Sequence, residues 1–163
     1  IRLLDDMTKV IMNDMTGGKE EPSLSYSGGY SKEELMKKLE GSKEREIRAG
    51  TTLFGIHKDD IEIKLGGDSA RIYASQGQQR SIALAMKLSE GEICRKIYGE
   101  YPVYLLDDIL SELDKSRRGY LMSGFTKESG SKQVIITTTD ENELKKETNG
   151  KLIRAEKGQY FEV

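Results

Sequence analysis

Tyr104-Leu105-Leu106-Asp107-Asp108 is an apolar run that ends abruptly in two adjacent carboxylates. The stretch from Val103 to Leu106 reads as a β-strand buried on both faces, the pattern of a strand in a helix-covered parallel sheet. In an open parallel sheet the carboxyl ends of the strands face the ligand crevice, so Asp107 and Asp108 emerge where a nucleotide would sit. A hard Mg²⁺ ion takes oxygen ligands, commonly one carboxylate together with substrate phosphates. Asp107 is placed for that role, and Asp108, one backbone step further, for polarising an attacking water. A strand that simply ends in a polar turn would leave the same pattern.

The segments on either side of this strand give an α/β order. Upstream, Ile82, Ala85, Met86, Ser89, Ile93 and Ile97 recur at helical spacing and predict a long helix from Gln76 to about Ile97. Downstream, Asp114 is placed to cap a helix carrying Tyr120, Leu121 and Phe125, and Gln133 to Thr137 reads as a second buried strand. Ile153 and Tyr160-Phe161-Glu162-Val163 flank Lys157-Gly158 as a closing hairpin. Nearer the start, Leu3, Leu4, Met7, Val10, Ile11 and Met15 make residues 1–16 an amphipathic helix that Gly17-Gly18 stops. A polar loop with Pro22 and Gly28-Gly29 follows. Ser31 with Glu34 then forms a capping box opening a charged helix through Leu35, Met36 and Leu39 towards Ile47. Ile61 to Leu65 and Arg71-Ile72-Tyr73 alternate around Gly66-Gly67-Asp68, a hairpin pattern. The change of pattern near Gly50 divides the chain into a helical part, residues 1–49, and an α/β part, residues 50–163.

Composition narrows the function classes. Of 163 residues, 33% are charged and 36% hydrophobic, and the formal net charge of -2 leaves no global basic excess, so any nucleic-acid contact must be a local patch. Lys43, Arg45 and Arg48 alternate with acids and read as a solvated helix face. The apolar runs are far shorter than the roughly 20 residues a membrane span needs, which points to a soluble protein with no membrane partner, and the low cysteine content fits a reducing, cytoplasmic setting. One cysteine, Cys94, excludes an internal disulfide and reads as a small core residue on a helix. The chain opens on Ile1, without an initiator Met or a signal-type segment, as an excised portion of a longer protein would.

A second chemical feature lies at the start of the long helix, Ala74-Ser75-Gln76-Gly77-Gln78-Gln79-Arg80. A helix N-terminus offers unpaired N–H groups and positive dipole, Gly77 allows close backbone approach, and Ser75 adds a hydroxyl. Alone it could be a capped helix with a polar start. A third is Ser111-Glu112-Leu113-Asp114, shortly after the acid pair, which alone is a loop ending in a helix cap.

Together, in this order, the three features resemble ABC-type ATPases, and more narrowly the RecF family. Ser75, Gly77 and Gln78 match the Leu-Ser-Gly-Gly-Gln signature loop, with Gln76 in place of the first Gly. Asp107-Asp108 stands where most ABC ATPases have Asp-Glu, and Ser111 to Asp114 is similar to their Ser-x-Leu-Asp loop. Gly55-Ile56-His57-Lys58-Asp59-Asp60 is similar to a Gly-Pro-His-Arg-Asp-Asp segment of RecF, with Ile56 for Pro and Lys58 for Arg. His57 itself reads as a surface or capping residue. Thr139, in Thr137-Thr138-Thr139-Asp140, occupies the place of a γ-phosphate-contacting His. A threonine cannot become a cation, so hydrolysis should be slow.

The resemblance implies the C-terminal part of an ABC-type ATPase head, with buried strands, flanking helices and β-hairpins in residues 50–163 and part of a helical arm in residues 1–49. It implies ATP and Mg²⁺ as cofactors, with Asp107 the metal ligand and Asp107 and Asp108 catalytic. Ser75, Gln76, Gly77, Gln78, Ser111, Asp114 and Thr139 would contact nucleotide. Each site would be shared between two chains of an ATP-dependent homodimer. The function implied is ATP-dependent DNA binding at single-strand/double-strand junctions, with RecO and RecR as partners, in DNA repair, replication, recombination and the SOS response. No phosphate loop of the Gly-x-x-x-x-Gly-Lys-Ser/Thr type is present; Gly17-Gly18-Lys19 lacks the spacing. This chain alone should therefore not turn over ATP. Three other readings remain: a fragment of another SMC-like or RecN-like ATPase, a metal-dependent phosphoesterase using Asp107, Asp108 and Asp114, and a non-catalytic interaction module that uses the helical arm of residues 1–49.

Overall fold

The computed structural model describes residues 1–126, 132–139 and 150–162. Asp140 and Val163, assigned above to a loop and to the last strand, lie outside them.

Helix α1 (Arg2–Thr16) ends at Gly17, whose φ of 65° is the left-handed conformation glycine adopts most readily. Its Ile11, Met12 and Met15 enter the core against Ile82, Leu84 and Ala85 of the long helix α4 (Gln76–Tyr98) and Leu121 and Met122 of α5 (Lys115–Thr126). The α1–α4 contact also contains a closed polar chain. The Thr8 hydroxyl donates to Ser89 Oγ at 3.2 Å, and Ser89 donates to the Ala85 carbonyl at 2.7 Å, so two fully buried hydroxyls are satisfied.

Among the described residues three short sheets accompany the helices. β1 (Pro22–Ser27), β2 (Asp60–Leu65) and β3 (Asp68–Ser69) form an antiparallel sheet, β4 (Tyr104–Asp107) and β5 (Val134–Thr137) a parallel pair, and β6 (Ile153–Glu156) and β7 (Gln159–Glu162) a hairpin. The hairpin turns on Lys157 and Gly158, with φ of 51° and 77°, the two positive values of a two-residue turn. Helix α2 (Lys32–Ala49) opens on Ser31 in the expected capping box and buries only Ser42.

Several expectations are corrected. The polar loop after Gly18 contains β1, because Pro22, Leu24 and Tyr26 alternate with serines and Pro22 stands at the strand start, where its missing N–H costs little. Residues 71–73 do not continue β3. They form the helical turn α3 (Ala70–Tyr73), which sends Ala70 into the core and leaves Ile72 and Tyr73 outside, and the Gln79 side-chain amide donates to the carbonyls of Ala70 and Ala74 at 3.2 and 3.0 Å. The apolar strands are buried on one face rather than two. Tyr104 is buried and Leu106 and Ile136 pack on the core, whereas Leu105 and Ile135, partners in the parallel register, are 72% and 51% exposed. Among the described residues β4 and β5 pair only with each other, and the helices cover one side. The residues on either side of position 50 pack together: α1 lies in the core and β1 pairs with β2.

Two glycines inside helices make opposite demands. A Cβ on Gly91 of α4 would collide with Tyr104 Oη, while one on Gly41 of α2 would meet nothing within 4 Å. Gly91→Ala should therefore lower stability by about 1–3 kcal/mol through overpacking, and Gly41→Ala should raise it by roughly 0.5–1 kcal/mol; urea unfolding midpoints of the two variants would show shifts of opposite sign.

Asp5 ties α1 to β1: it accepts from Leu24 N–H at 2.7 Å and pairs with Lys9 at 2.8 Å. Partial burial alone would push its carboxyl up, but the Lys9 hydrogen bond, the Leu24 N–H and the Lys9 charge hold it below the usual range. A depressed carboxylate stabilises the fold above its unfolded pKa, about 4, and that stability is lost as pH falls through the folded value. Asp5→Asn should unfold earlier than the unaltered chain in urea at pH 7, with the gap closing below about pH 4.

Candidate functional site

The first candidate cluster is the start of α4. Ser75 Oγ accepts from Gln78 N–H at 3.3 Å, and the Gln78 side-chain oxygen accepts from Ser75 N–H at 2.9 Å, a reciprocal capping box. This arrangement uses the acceptor side of each group. Among the described residues nothing takes the Ser75 hydroxyl proton or the Gln78 amide protons, so both side chains keep donors to offer an anion beside the first N–H groups of the helix. Gly77, in the first turn, has helical rather than positive φ, and a Cβ there would meet nothing within 4 Å. Its own chain therefore does not require glycine. Gln76 is exposed, and Tyr73, Ala74 and Gln78 line an open cleft of about 430 Å³ that also takes in Lys19 and Glu20.

The second cluster is the end of β4. Asp107 is opposite Thr137 in the parallel register, and the Thr137 hydroxyl donates to Asp107 Oδ1. The same Thr137 oxygen accepts from Asp108 N–H at 3.1 Å. Asp108 has a φ of 49°, the left-handed region that Asp tolerates better than most residues, so the chain turns sharply there and both carboxylates remain exposed. Thr137 orients both acids, and the residue pattern did not single it out; the register across two parallel strands identifies it. Thr139, two residues beyond β5, is exposed.

Between these clusters lies the third segment. Ser111 donates to the Asp108 carbonyl at 2.9 Å, and the turn Leu110–Glu112 is held by Leu110 and Leu113, both buried. Asp114 caps α5: one oxygen accepts from Arg117 N–H at 2.9 Å and the other pairs with the Arg117 guanidinium at 2.7 Å. The Arg117 N–H, ahead of its charge, holds the Asp114 carboxyl below the usual carboxylate range. Arg117 also pairs with Glu20 at 2.9 Å, and Arg80 with Glu112 at 2.9 Å. None of Glu20, Arg80, Glu112 and Arg117 stands out as a site residue in the sequence, because an ion pair between distant positions leaves no local pattern.

The acids suit a hard cation in one way only. Asp107 offers a single oriented carboxylate, which fits Mg²⁺ if phosphates and water complete the shell. No group of three or more potential ligands occurs among the described residues, and Asp114 is fully engaged with Arg117. His57, in the turn Ile56–Lys58, is exposed, with Nε2 3.3 Å from the Thr52 carbonyl oxygen.

Comparison with known proteins completes the picture. No family model matches the chain. The DNA replication and repair protein RecF of Moorella thermoacetica is 44% identical over 127 residues, covering 78% of this chain and 34% of that protein. The proteins of the same name from Clostridium kluyveri and Staphylococcus aureus (strain JH9) are each 39% identical, covering 90% and 99% of this chain and 40% and 46% of themselves. The chain thus spans less than half the length of these curated relatives. Among solved structures, the recombination mediator protein RecF-ATP of the RecFOR pathway matches with a TM-score of 0.75 at 29% identity, over 99% of this chain and 44% of that one. An SMC head bound to the C-winged helix domain of ScpA shares the fold, with a TM-score of 0.60 at 17% identity over 99% of this chain and 42% of that one. The architecture is that of the C-terminal part of ABC/SMC-type ATPase heads, and the chain belongs to the RecF family, its match fitting the C-terminal part of those proteins.

Proposed function

We propose that this chain is the part of a RecF-like ATPase that carries the acidic strand of its own nucleotide site and the donor-bearing signature end that reaches a partner's nucleotide. The observation that carries the proposal is the capping box of Ser75 and Gln78, which turns donors outward beside a glycine its own chain does not need. In this reading Asp107 is one ligand of a Mg²⁺ held by ATP phosphates, Asp108 positions or polarises the water, and Ser75, Gln76, Gly77 and Gln78 contact the γ-phosphate across the dimer. Ser111, Asp114 and Thr139 line the shared interface. ATP then acts as glue for a head-to-head homodimer, and hydrolysis removes it. Thr139 supplies no cation, which keeps turnover slow.

The relatives carry replication and repair in their name, and we assign this chain to the same work: ATP-dependent DNA binding at single-strand/double-strand junctions in cytoplasmic recombinational repair, with RecO and RecR as partners. No helix among the described residues is long and apolar enough to cross a membrane. Residues 50–163 act as the head in this scheme, and within residues 1–49 the arm is best represented by α2, which buries only Ser42.

Substitutions in full-length protein containing residues 1–163 test the reading. Gly77→Ala should leave the unfolding midpoint unchanged or slightly raised, yet weaken Mg·ATP-dependent dimerisation about tenfold or more, an effect of at least 1.4 kcal/mol. Dimerisation equal to that of the unaltered protein, measured by light scattering across a concentration series, would sink the proposal. Asp108→Asn, which also tolerates the left-handed conformation, should retain the dimer and slow hydrolysis by roughly 10²–10⁴-fold. Residues 1–163 alone should show no turnover of ATP or of a phosphodiester with Mg²⁺, and turnover of either would favour a self-contained phosphoesterase.

A further inference from the structure

We infer that Arg80 is a positioning residue that locks the phosphate-facing start of α4 to the Ser111–Asp114 loop through Glu112, so that both contacts with a partner chain move as one body. The inference rests on the dimer reading above for its functional meaning, but its structural basis is independent of it.

Arg80 and Glu112 are 32 residues apart and join at 2.9 Å through side chains that are 46% and 37% exposed. An ion pair of that exposure contributes little to stability, so its significance lies in what it connects. On one side, Arg80 lies in the second turn of α4, two residues after Gln78. Gln79 between them is occupied in holding the carbonyls of Ala70 and Ala74, which fixes the approach to the helix. On the other side, Glu112 ends a turn pinned from below by Leu110 and Leu113. The Arg118 guanidinium donates to the Leu110 carbonyl at 2.9 Å, and Ser111 ties the turn to the Asp108 carbonyl. From Asp108 the path continues to Thr137 and Asp107. A bonded route therefore runs from Ser75 and Gln78 to the acid pair, and Arg80–Glu112 is the side-chain link joining the helix to the loop within it.

A loop that senses the partner's nucleotide state and a helix end that holds the partner's phosphate would, with this link, report to one another within one chain. Without it, each could shift alone.

The test uses full-length protein containing residues 1–163 with Arg80→Ala, Glu112→Gln, the double substitution, and the charge exchange Arg80→Glu/Glu112→Arg. In nucleotide-free protein, amide hydrogen exchange should rise in residues 76–80 and in 109–114 together in either single variant, and the exchange variant should restore both. Exchange that rises only around the substituted residue overturns the link. With Mg·ATP, the two singles should lower ATP turnover to a similar extent, by at least about fivefold, with monomer ATP affinity unchanged. The double should be no worse than either single, and the charge exchange should recover most of the loss. If Arg80→Ala is impaired while Glu112→Gln is not, Arg80 acts directly on a ligand and the inference fails. If the unaltered protein shows no ATP-dependent dimer, the functional reading fails while the amide-exchange result still decides the link.

Discussion

The seating of Tyr104 on Gly91 is the contact on which the arrangement of the site depends. Tyr104 begins β4, and its ring packs where any side chain on α4 would stand, at a separation a Cβ could not share. The burial that holds the ring there also pushes its hydroxyl up to about 12, so it stays neutral. Gly91 is 15 residues beyond Gln76, roughly 22 Å along the helix. β4 therefore starts beside the far part of α4, and the loop after it meets α4 again at Arg80 through Glu112. Strand and helix run side by side in opposite senses. That is what brings the acid pair and the signature end into one continuous bonded structure, although neither segment carries a residue that would specify it locally.

Given that framework, the acid pair is shaped by one hydroxyl. Thr137 donates to Asp107 and accepts from the amide of Asp108, so a single side chain on β5 fixes the direction of one carboxylate and the backbone of the next. The left-handed conformation of Asp108 is the local cost of turning the chain immediately after the strand. A turn that sharp leaves both carboxylates in solvent while Leu110, two residues later, is fully buried.

How much of this was legible in the sequence varies with the physical range of each interaction. The helices α1, α2, α4 and α5, the capping box at Ser31 and the cap at Asp114 rest on patterns local in the chain, and the sequence shows them, whereas the reciprocal box of Ser75 and Gln78 is seen in the structure. β1 is faint in the sequence because its alternation of Pro22, Leu24 and Tyr26 with serines spans only six residues and opens on a proline, and its partner β2 lies more than 30 residues away. Arg71-Ile72-Tyr73 misled in the opposite direction: β-favouring side chains form a helical turn because Gln79 reaches back to close it, a tertiary contact that overrides propensity. An apolar run such as Val103 to Leu106 fixes a strand but not how many of its faces are covered. The acid pair and the polar start of α4 stand out in the sequence because each is a run of adjacent residues. Thr137, Arg80, Glu112 and the Glu20–Arg117 pair do not, since each acts through a partner distant in sequence.

The two halves of the candidate site have opposite electrostatic character, and this favours their use on different nucleotides. The start of α4 presents hydroxyl, amide and backbone donors, which attract a phosphate without any intermediary. The end of β4 presents two carboxylates, which repel a phosphate unless a cation stands between them. A single γ-phosphate can be satisfied from both sides only if metal and acids approach one set of its oxygens and the donor end approaches another. Within this chain the donors stand at the start of α4 and the acids at the end of β4, and the Arg80–Glu112 pair connects the two segments. The head-to-head dimer proposed above would resolve the conflict, because each copy would then supply acids to one nucleotide and donors to the other.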